Sequence, residues 1–378
     1  MKALANAPGK KVTVQDIPLP EPGLDEIRVK VHSVALNPID AWFAWVPAGK
    51  PGRVVGSDVA GVVEKLGPGA SQWKVGDRVA GFVQGATCDN DRPGGFAEYT
   101  IMEQDLAFAI PSEVSFDEAA TVPLCALTAA QALFIRLKIN APFPSPFQHT
   151  AKTEESPAIL IYSTSSSVGL YTLELVKHAR TSAGKPFRIF ATASPKNHAR
   201  LLKQGVDQVF DYRDPEWPAL AKAASGGISY GVDCLSEGDS TAKISQTFVK
   251  EGGFITCFRI GEWSREGIRE GVEAGYAAVW VGLGKEISYF GHPIPADLKW
   301  REFTVAFYKW LSSFKDRLPI APNVPRVMPG GLERIVQDGF RLLSTPETNM
   351  VVDRPVETKA TEPWLRPVSG EKLVYRVE

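Results

Sequence analysis

Cysteine is scarce and scattered in this chain. The four residues, Cys88, Cys125, Cys234 and Cys257, include no C-x-x-C pair, so neither a structural zinc knuckle nor a disulfide framework is expected, and the thiols should be reduced. Long apolar runs are missing too. The least polar stretch, Ala274 to Leu283, is about half of the ~20 residues that a spanning helix needs. Met1-Lys2-Ala3-Leu4 opens no apolar signal core, so the expected location is cytoplasmic, away from membranes. An excess of one charge is also absent. A formal net charge of −1 gives no reason to expect a nucleic-acid partner or binding to an acidic surface.

What is present is the composition of a globular protein. The chain has 378 residues, 44% hydrophobic and 22% charged, which is enough for two domains. Its organising stretch begins with the apolar run Ala158–Tyr162, turns through small residues, and enters a segment with apolar positions at helical spacing that runs to Ala179. This predicts a buried strand, a turn and a helix whose N-terminal amides face the place where a dinucleotide pyrophosphate would bind. Serines at 163, 165, 166 and 167 stand where glycines would be expected, and only Gly169 remains. The segment alone is equally consistent with an ordinary capped turn.

The next strand, Phe187 to Ala193, lacks an acid at its end and runs into Ser194-Pro195-Lys196-Asn197. The strand Gln208-Val209-Phe210 then ends in Asp211-Tyr212-Arg213. Hydroxyl, amide and cationic donors suit a ribose 2′-phosphate better than a carboxylate does, so NADP(H) is expected over NAD(H). The other reading of Lys196 and Arg213 is a pair of solvated loop charges.

Residues 1–125 are punctuated by Pro, Gly and Asp between short apolar runs, as in a β-rich lobe. Ile27 to Val34 alternates as a half-buried strand should. The landmarks then follow in order: the Asn37-Pro38-x-Asp40 turn, the stretch Gly56-Ser57-Asp58-Val59-Ala60-Gly61, Val75-Gly76-Asp77-Arg78-Val79, Gly94-Gly95-Phe96-Ala97-Glu98-Tyr99, and Leu127-Thr128-Ala129. Followed by a dinucleotide-binding half, these resemble the medium-chain dehydrogenase/reductase superfamily over nearly the whole chain. The resemblance implies an α/β fold: a Rossmann-type, doubly wound parallel sheet domain at 127–285 and a discontinuous GroES-like β-rich catalytic domain at 1–126 and 286–378. The zinc ligands of the alcohol dehydrogenase branch are replaced, at one position by the Asn37 turn and at another by Gly56-Ser57-Asp58. No metal is expected.

Finer features narrow the resemblance. A proline-rich insertion at 139–157, the turns at Ser194 and Asp211, and Ser369-Gly370-Glu371-Lys372-Leu373 are similar to the fungal trans-acting enoyl reductases of the lovastatin-pathway type. These are stand-alone, typically monomeric partners of highly reducing polyketide synthases in secondary metabolism. Carried over by position, the resemblance implies cofactor contacts at Ile39, Asp40, Ala41 and Trp42, and at Ser165, Ser166, Ser167 and Val168. It adds Ser194, Pro195, Lys196 and Asn197, then Tyr212, Phe258, Arg259, Val368 and Ser369. Substrate contacts would fall on Ala129, Ala130, Gln131, Ala132, Leu133, Phe134, Ile135 and Arg136, with Trp280 walling an acyl tunnel. Small side chains at Ala129, Ala130 and Ala132 would leave room there.

The implied chemistry is conjugate reduction of an α,β-unsaturated thioester by NADPH. Thr128, at the expected start of its helix, and Asp40 are the candidate catalytic residues. Two alternatives stay open: a general quinone or enone reductase, and a non-redox cyclase or accessory protein on the same fold. The aromatic cluster Trp42, Phe43 and Trp45 gives the last of these its footing, since it could narrow or block the pocket.

Overall fold

The computed structural model describes residues 1–9, 11–46, 50–87, 92–149, 156–259, 265–276, 278–289, 292–344 and 362–377. Cys88 and residues 150–155 of the proline-rich insertion lie outside them. The chain divides into a discontinuous unit, Met1–Leu124 with Trp280–Glu378, and a continuous one, Cys125–Val279.

In the discontinuous unit a seven-stranded sheet is built around the ten-residue strand Glu26–Ala35. One side of that strand pairs antiparallel with Asp58–Leu66. The other side is shared: Glu26 to Lys30 pair with Tyr99–Glu103, and Ser33 to Ala35 pair with Lys372–Arg376. Inward-facing Val29, Val31 and Val34 join Val59, Val63, Val79, Phe96 and Tyr375 in one apolar core. The alternation has an exception at Arg28, whose side chain is only 6% exposed. Its guanidinium donates to Glu64 at 2.6 Å, Glu21 at 3.0 Å and the Pro20 carbonyl at 3.0 Å, which makes burial of the charge tolerable. A shift of register against the neighbouring strand falls between Arg28 and Val29.

The continuous unit is a six-stranded parallel sheet. From one edge to the other the strands are Gln208–Phe210, Arg188–Thr192, Ala158–Tyr162, Tyr230–Asp233, Gly253–Cys257 and Val272–Tyr276. Counted within the unit, the order is 3-2-1-4-5-6, the doubly wound arrangement with its switch point beside the first strand. Every residue of Ala158–Tyr162 is buried, as a strand covered on both faces requires. The edge strand Val272–Tyr276 closes the far side.

Several local expectations change. The helix expected to start at Thr128 begins at Pro123 and runs to Gln131, then loosens into a π-turn at Ala132–Arg136. Thr128 therefore sits in mid-helix. His149 reaches back to bond the Phe134 carbonyl at 2.7 Å, while Phe143 packs edge-on against the Phe134 ring. The spacing of apolar residues predicts a late helix over 302–314; it starts earlier, at Leu298, because the Asp297 carboxylate accepts the amides of Lys299 and Trp300 and caps it there. The same spacing predicts a helix over 331–343, which is broken into Gly331–Arg334, a π-turn at Ile335–Gly339 and a 3-10 turn at Phe340–Leu342.

Gly169 lies in the first turn of the helix Ser167–His178. A Cβ there would lie 2.7 Å from the Ser163 carbonyl oxygen and 2.8 Å from the Thr164 Cα, both fixed backbone atoms. Gly169→Ala should lower the urea midpoint by a loss of about 1–3 kcal/mol; an unchanged midpoint would show that the helix can back away from the strand.

Candidate functional site

Six strand ends define the carboxyl edge of the continuous unit, and the expected cofactor residues between Ser165 and Arg259 follow the first, second, third and fifth of them. At the first strand the chain turns through Ser163 at φ 59°, a left-handed conformation that glycine adopts freely and serine only at a cost. The turn is held by its neighbour. The Ser163 amide donates to Thr192 Oγ1 at 2.9 Å and the Thr164 amide to the Thr192 carbonyl at 3.0 Å. Ser166 caps the following helix, its Oγ accepting the Gly169 amide at 3.2 Å and donating to the Ser163 carbonyl at 2.8 Å. The serine-rich loop thus reproduces a strand–turn–helix with its helix N-terminus at the carboxyl edge, the donor arrangement that suits a pyrophosphate.

At the second and third strand ends, the Ser194 and Asp211 turns are brought together. The Arg213 guanidinium lies 4.5 Å over the Tyr212 ring and donates to Asp211 at 3.3 Å and to Ser194 Oγ at 3.5 Å. Pro195 and Lys196 are exposed, and Asn197 is buried. At the fifth strand end the Phe258 amide donates to Ser236 Oγ at 2.9 Å, and Arg259 is paired with Glu237. Ser236 is in turn fixed by Asp233, a fully buried carboxylate that also accepts the hydroxyls of Ser240 at 2.6 Å and Thr241 at 2.8 Å. Burial pushes the Asp233 carboxyl above the usual range, and those hydrogen bonds pull it back. Asp233 and Ser236 were not legible as site-shaping residues, because an Asp at a strand end has many ordinary uses.

The substrate residues fare differently. From Thr128 to Arg136 only those two keep partial exposure. Ala129, Ala130, Leu133 and Phe134 are completely buried, Ala132, Gln131 and Ile135 nearly so. The small side chains are spent on close packing, contrary to the open face expected of them. Gln131 donates to the Val279 carbonyl at 3.2 Å. Arg136 lies 5.7 Å over the Phe254 ring, against Gly275, where a Cβ would meet its guanidinium. Trp280 belongs to the discontinuous unit, 2% exposed and stacked on Phe82 at 5.3 Å. It packs a core.

In the discontinuous unit, Ile39, Asp40, Ala41 and Trp42 lie in the first turns of the helix Pro38–Trp45. Trp42 is half-buried and meets Phe43 edge-on at 4.9 Å; Trp45 is tied to Ser344 Oγ at 2.9 Å. Val368 and Ser369 are half-buried just before the strand Lys372–Arg376. At the places where zinc ligands would stand there is a buried polar network. Asp40 Oδ2 accepts the Asn37 amide at 2.9 Å and its Nδ2 at 3.1 Å, and Asp40 Oδ1 accepts Ser57 Oγ at 2.8 Å. Asn37 Nδ2 also donates to Asp58 Oδ2 at 2.9 Å. Lys372 Nζ bonds the same Asp58 oxygen at 2.5 Å and the Thr121 carbonyl at 3.1 Å. Asp58 Oδ1 accepts the Leu124 amide at 2.7 Å. Among the described residues no group of three or more His, Cys, Asp or Glu could hold a metal ion, and no helix is long and apolar enough to cross a membrane.

Comparison with known proteins places this geometry in a family. A model of the alcohol dehydrogenase GroES-like domain matches residues 23–112. A trans-enoyl reductase of Alternaria alternata is 33% identical over 371 residues, 97% of this chain and 96% of that protein. The chain belongs to the trans-enoyl reductases. Another, from Trichoderma harzianum, is 30% identical over 355 residues, covering 91% of this chain and 92% of its own. Within the medium-chain dehydrogenase/reductase superfamily, the chain is an oxidoreductase of a kind that works with a nicotinamide cofactor. Two solved structures share the fold over the full chain. A putative zinc-dependent alcohol dehydrogenase from Rhizobium etli has a TM-score of 0.71 at 19% identity, with 98% of its chain covered. The JamJ enoyl reductase in its apo form has 0.65 at 18%, with 99% covered.

Burial, and then the charge of Asp58, push the Asp40 carboxyl up to about 7 against the hydrogen bonds from Ser57 and Asn37. An unfolded aspartate titrates near ~3.9. Between those values the folded trans-enoyl reductase holds a proton that its unfolded chain has released. Stability should therefore fall as pH rises from about 4 to 7, by at most about 1.4 kcal/mol per pH unit from this group. Urea titrations across that range should show the slope, and Asp40→Asn should flatten it; equal slopes would place the proton elsewhere.

Proposed function

We propose that the chain is a trans-acting reductase that uses NADPH to reduce α,β-unsaturated thioesters carried by a partner polyketide synthase. The family supplies the reaction class. The single observation that carries the cofactor choice is the second strand end, where Ser194 and Lys196 stand in place of an acid and Arg213 reaches Ser194 from the third. Such a group of hydroxyl and cationic donors favours a 2′-phosphate and would leave a bare ribose without its carboxylate partner.

The residues present fit a dinucleotide. Ser165, Ser166, Ser167 and Val168 would hold the pyrophosphate, where Gly169 keeps helix and strand close enough for the turn. Ser194, Pro195, Lys196 and Asn197 would hold the 2′-phosphate side, with Tyr212 against the adenosine. Phe258 and Arg259 are the proposed contacts of the nicotinamide ribose, and Ile39 to Trp42 and Val368 with Ser369 are proposed as further cofactor contacts. We propose the discontinuous unit as the catalytic domain and the continuous unit as the cofactor domain.

When bound, NADPH supplies hydride to the β-carbon of the enoyl thioester. Negative charge would develop on the thioester oxygen and be discharged when a proton from solvent or a cofactor hydroxyl reaches the α-carbon, so the protein's task is to hold the reacting carbons in line and give that oxygen a hydrogen bond. Thr128, which keeps partial exposure in a packed helix, is the proposed donor. Asp40 holds Asn37 and Ser57 in place. With its carboxyl at about 7, it does not impose a full negative charge on a site where an enolate forms.

Titration of the purified protein with NADPH and NADH, followed by fluorescence and then by NADPH consumption on an α-methylated enoyl-pantetheine, tests this. The expected result is tight NADPH binding with turnover, and a roughly tenfold loss of NADPH affinity in Lys196→Ala with NADH unaffected. Turnover of free quinones without the thioester would instead mark a general quinone reductase. Binding of neither nucleotide would sink both redox readings.

A further inference from the structure

The carboxylate of Asp58 is completely buried, and three of its donors come from three distant stretches of chain. Asn37 Nδ2 belongs to the residue that precedes the helix Pro38–Trp45. The Leu124 amide lies in the first turn of the helix Pro123–Gln131. Lys372 Nζ stands on the strand Lys372–Arg376. Each stretch adjoins a residue or segment given a role above: Ile39 to Trp42 and Val368 with Ser369 as proposed cofactor contacts, and Thr128 as the proposed donor to the thioester oxygen.

An uncharged acceptor would not serve in its place. Asp58 Oδ2 receives an ammonium and an amide N–H₂ together, and Oδ1 a backbone N–H. An asparagine would turn its own N–H₂ toward one of those donors and leave a buried lysine without a counter-charge, whichever way it faced. The site needs a carboxylate, and its position allows little movement: Asn37, Ser57, Thr121 and Lys372 around it are all at most 2% exposed.

We propose that Asp58 is a positioning residue of this reductase, anchoring from one carboxylate the three stretches of chain that adjoin Thr128 and the proposed cofactor contacts Ile39 to Trp42, Val368 and Ser369. Its catalytic consequence rests on the reductase reading; its structural consequence rests on the hydrogen bonds alone.

Two readouts keep these apart. Backbone amide hydrogen exchange and NADPH kinetics would be compared in the wild type, Asp58→Asn, Asp58→Glu and Arg28→Met. The last removes another buried charge of the same unit, the Arg28 guanidinium, from its exposed partners Glu21 and Glu64. In Asp58→Asn, exchange should accelerate at least tenfold around residues 37–41, 124–128 and 370–373 together, with kcat/KM for the thioester lowered roughly tenfold to a hundredfold. Asp58→Glu keeps the charge but moves the acceptor by one methylene. It should fold, pair with Lys372 and still lose kcat/KM, whereas a purely structural ion pair would leave its kinetics at wild type. Arg28→Met should lower the unfolding midpoint with kcat and KM unchanged. Exchange that accelerates at one segment only, or wild-type kinetics in Asp58→Glu, would overturn the proposal. A wild type that binds no NADPH overturns the reductase reading instead, and the exchange pattern then decides the role of Asp58 by itself.

Discussion

The discontinuous unit depends on an ion pair taken wholly out of water. Lys372 and Asp58 have side chains 1% and 0% exposed, so neither charge has solvent to fall back on. Removing one partner of such a pair typically costs about 3–5 kcal/mol, because the survivor stays buried and uncompensated. Geometry makes the pair tolerable here: Asp58 takes its remaining hydrogen bonds from Asn37 and Leu124, and Lys372 gives one to the Thr121 carbonyl. Asp40, a second buried carboxylate tied to the same Asn37, has its pKa raised by burial and then by the neighbouring charge of Asp58.

The continuous unit solves a different problem with small hydroxyls. Where glycines would give a phosphate loop its freedom, Ser163 takes the left-handed conformation and Ser166 closes the cap. Thr192 on the neighbouring strand holds the turn through both its hydroxyl and its carbonyl. The Ala193 amide continues to the Phe210 carbonyl on the third strand. Three strand ends are thereby coupled by backbone bonds.

Much of this was legible in the sequence because it is local. The strand from Ala158, the cap after it and the alternation from Ile27 follow from periods of two and of about 3.6 residues. What escaped is what needs two distant positions at once. Lys372 and Asp58 stand 314 residues apart; each lay inside a noted landmark, yet nothing in either flank announces the other. Arg28 reads as an outward residue until Glu64 is known to face it. The alanines after Thr128 read as a cavity, and Trp280 as a tunnel wall, because composition tells how much space a side chain takes but not who claims the remainder. The π-turn at Ala132–Arg136 left no mark, since its residues would pass for any α-helix.

The long strand Glu26–Ala35 divides one of its sides between Tyr99–Glu103 and Lys372–Arg376. On a ribosome this imposes an order of events. Half of that side finds its partner early, and the other half stays unpaired until nearly the whole chain has emerged. The parallel sheet between them, whose strands all lie within Cys125–Val279, can complete its pairing in the interval. The nascent first unit meanwhile carries an open strand edge and a buried carboxylate without its lysine. Such an edge is a template for wrong pairing, so the interval between synthesis of the two halves is when this protein is most exposed to aggregation, and slower translation of the middle of the chain would lengthen it.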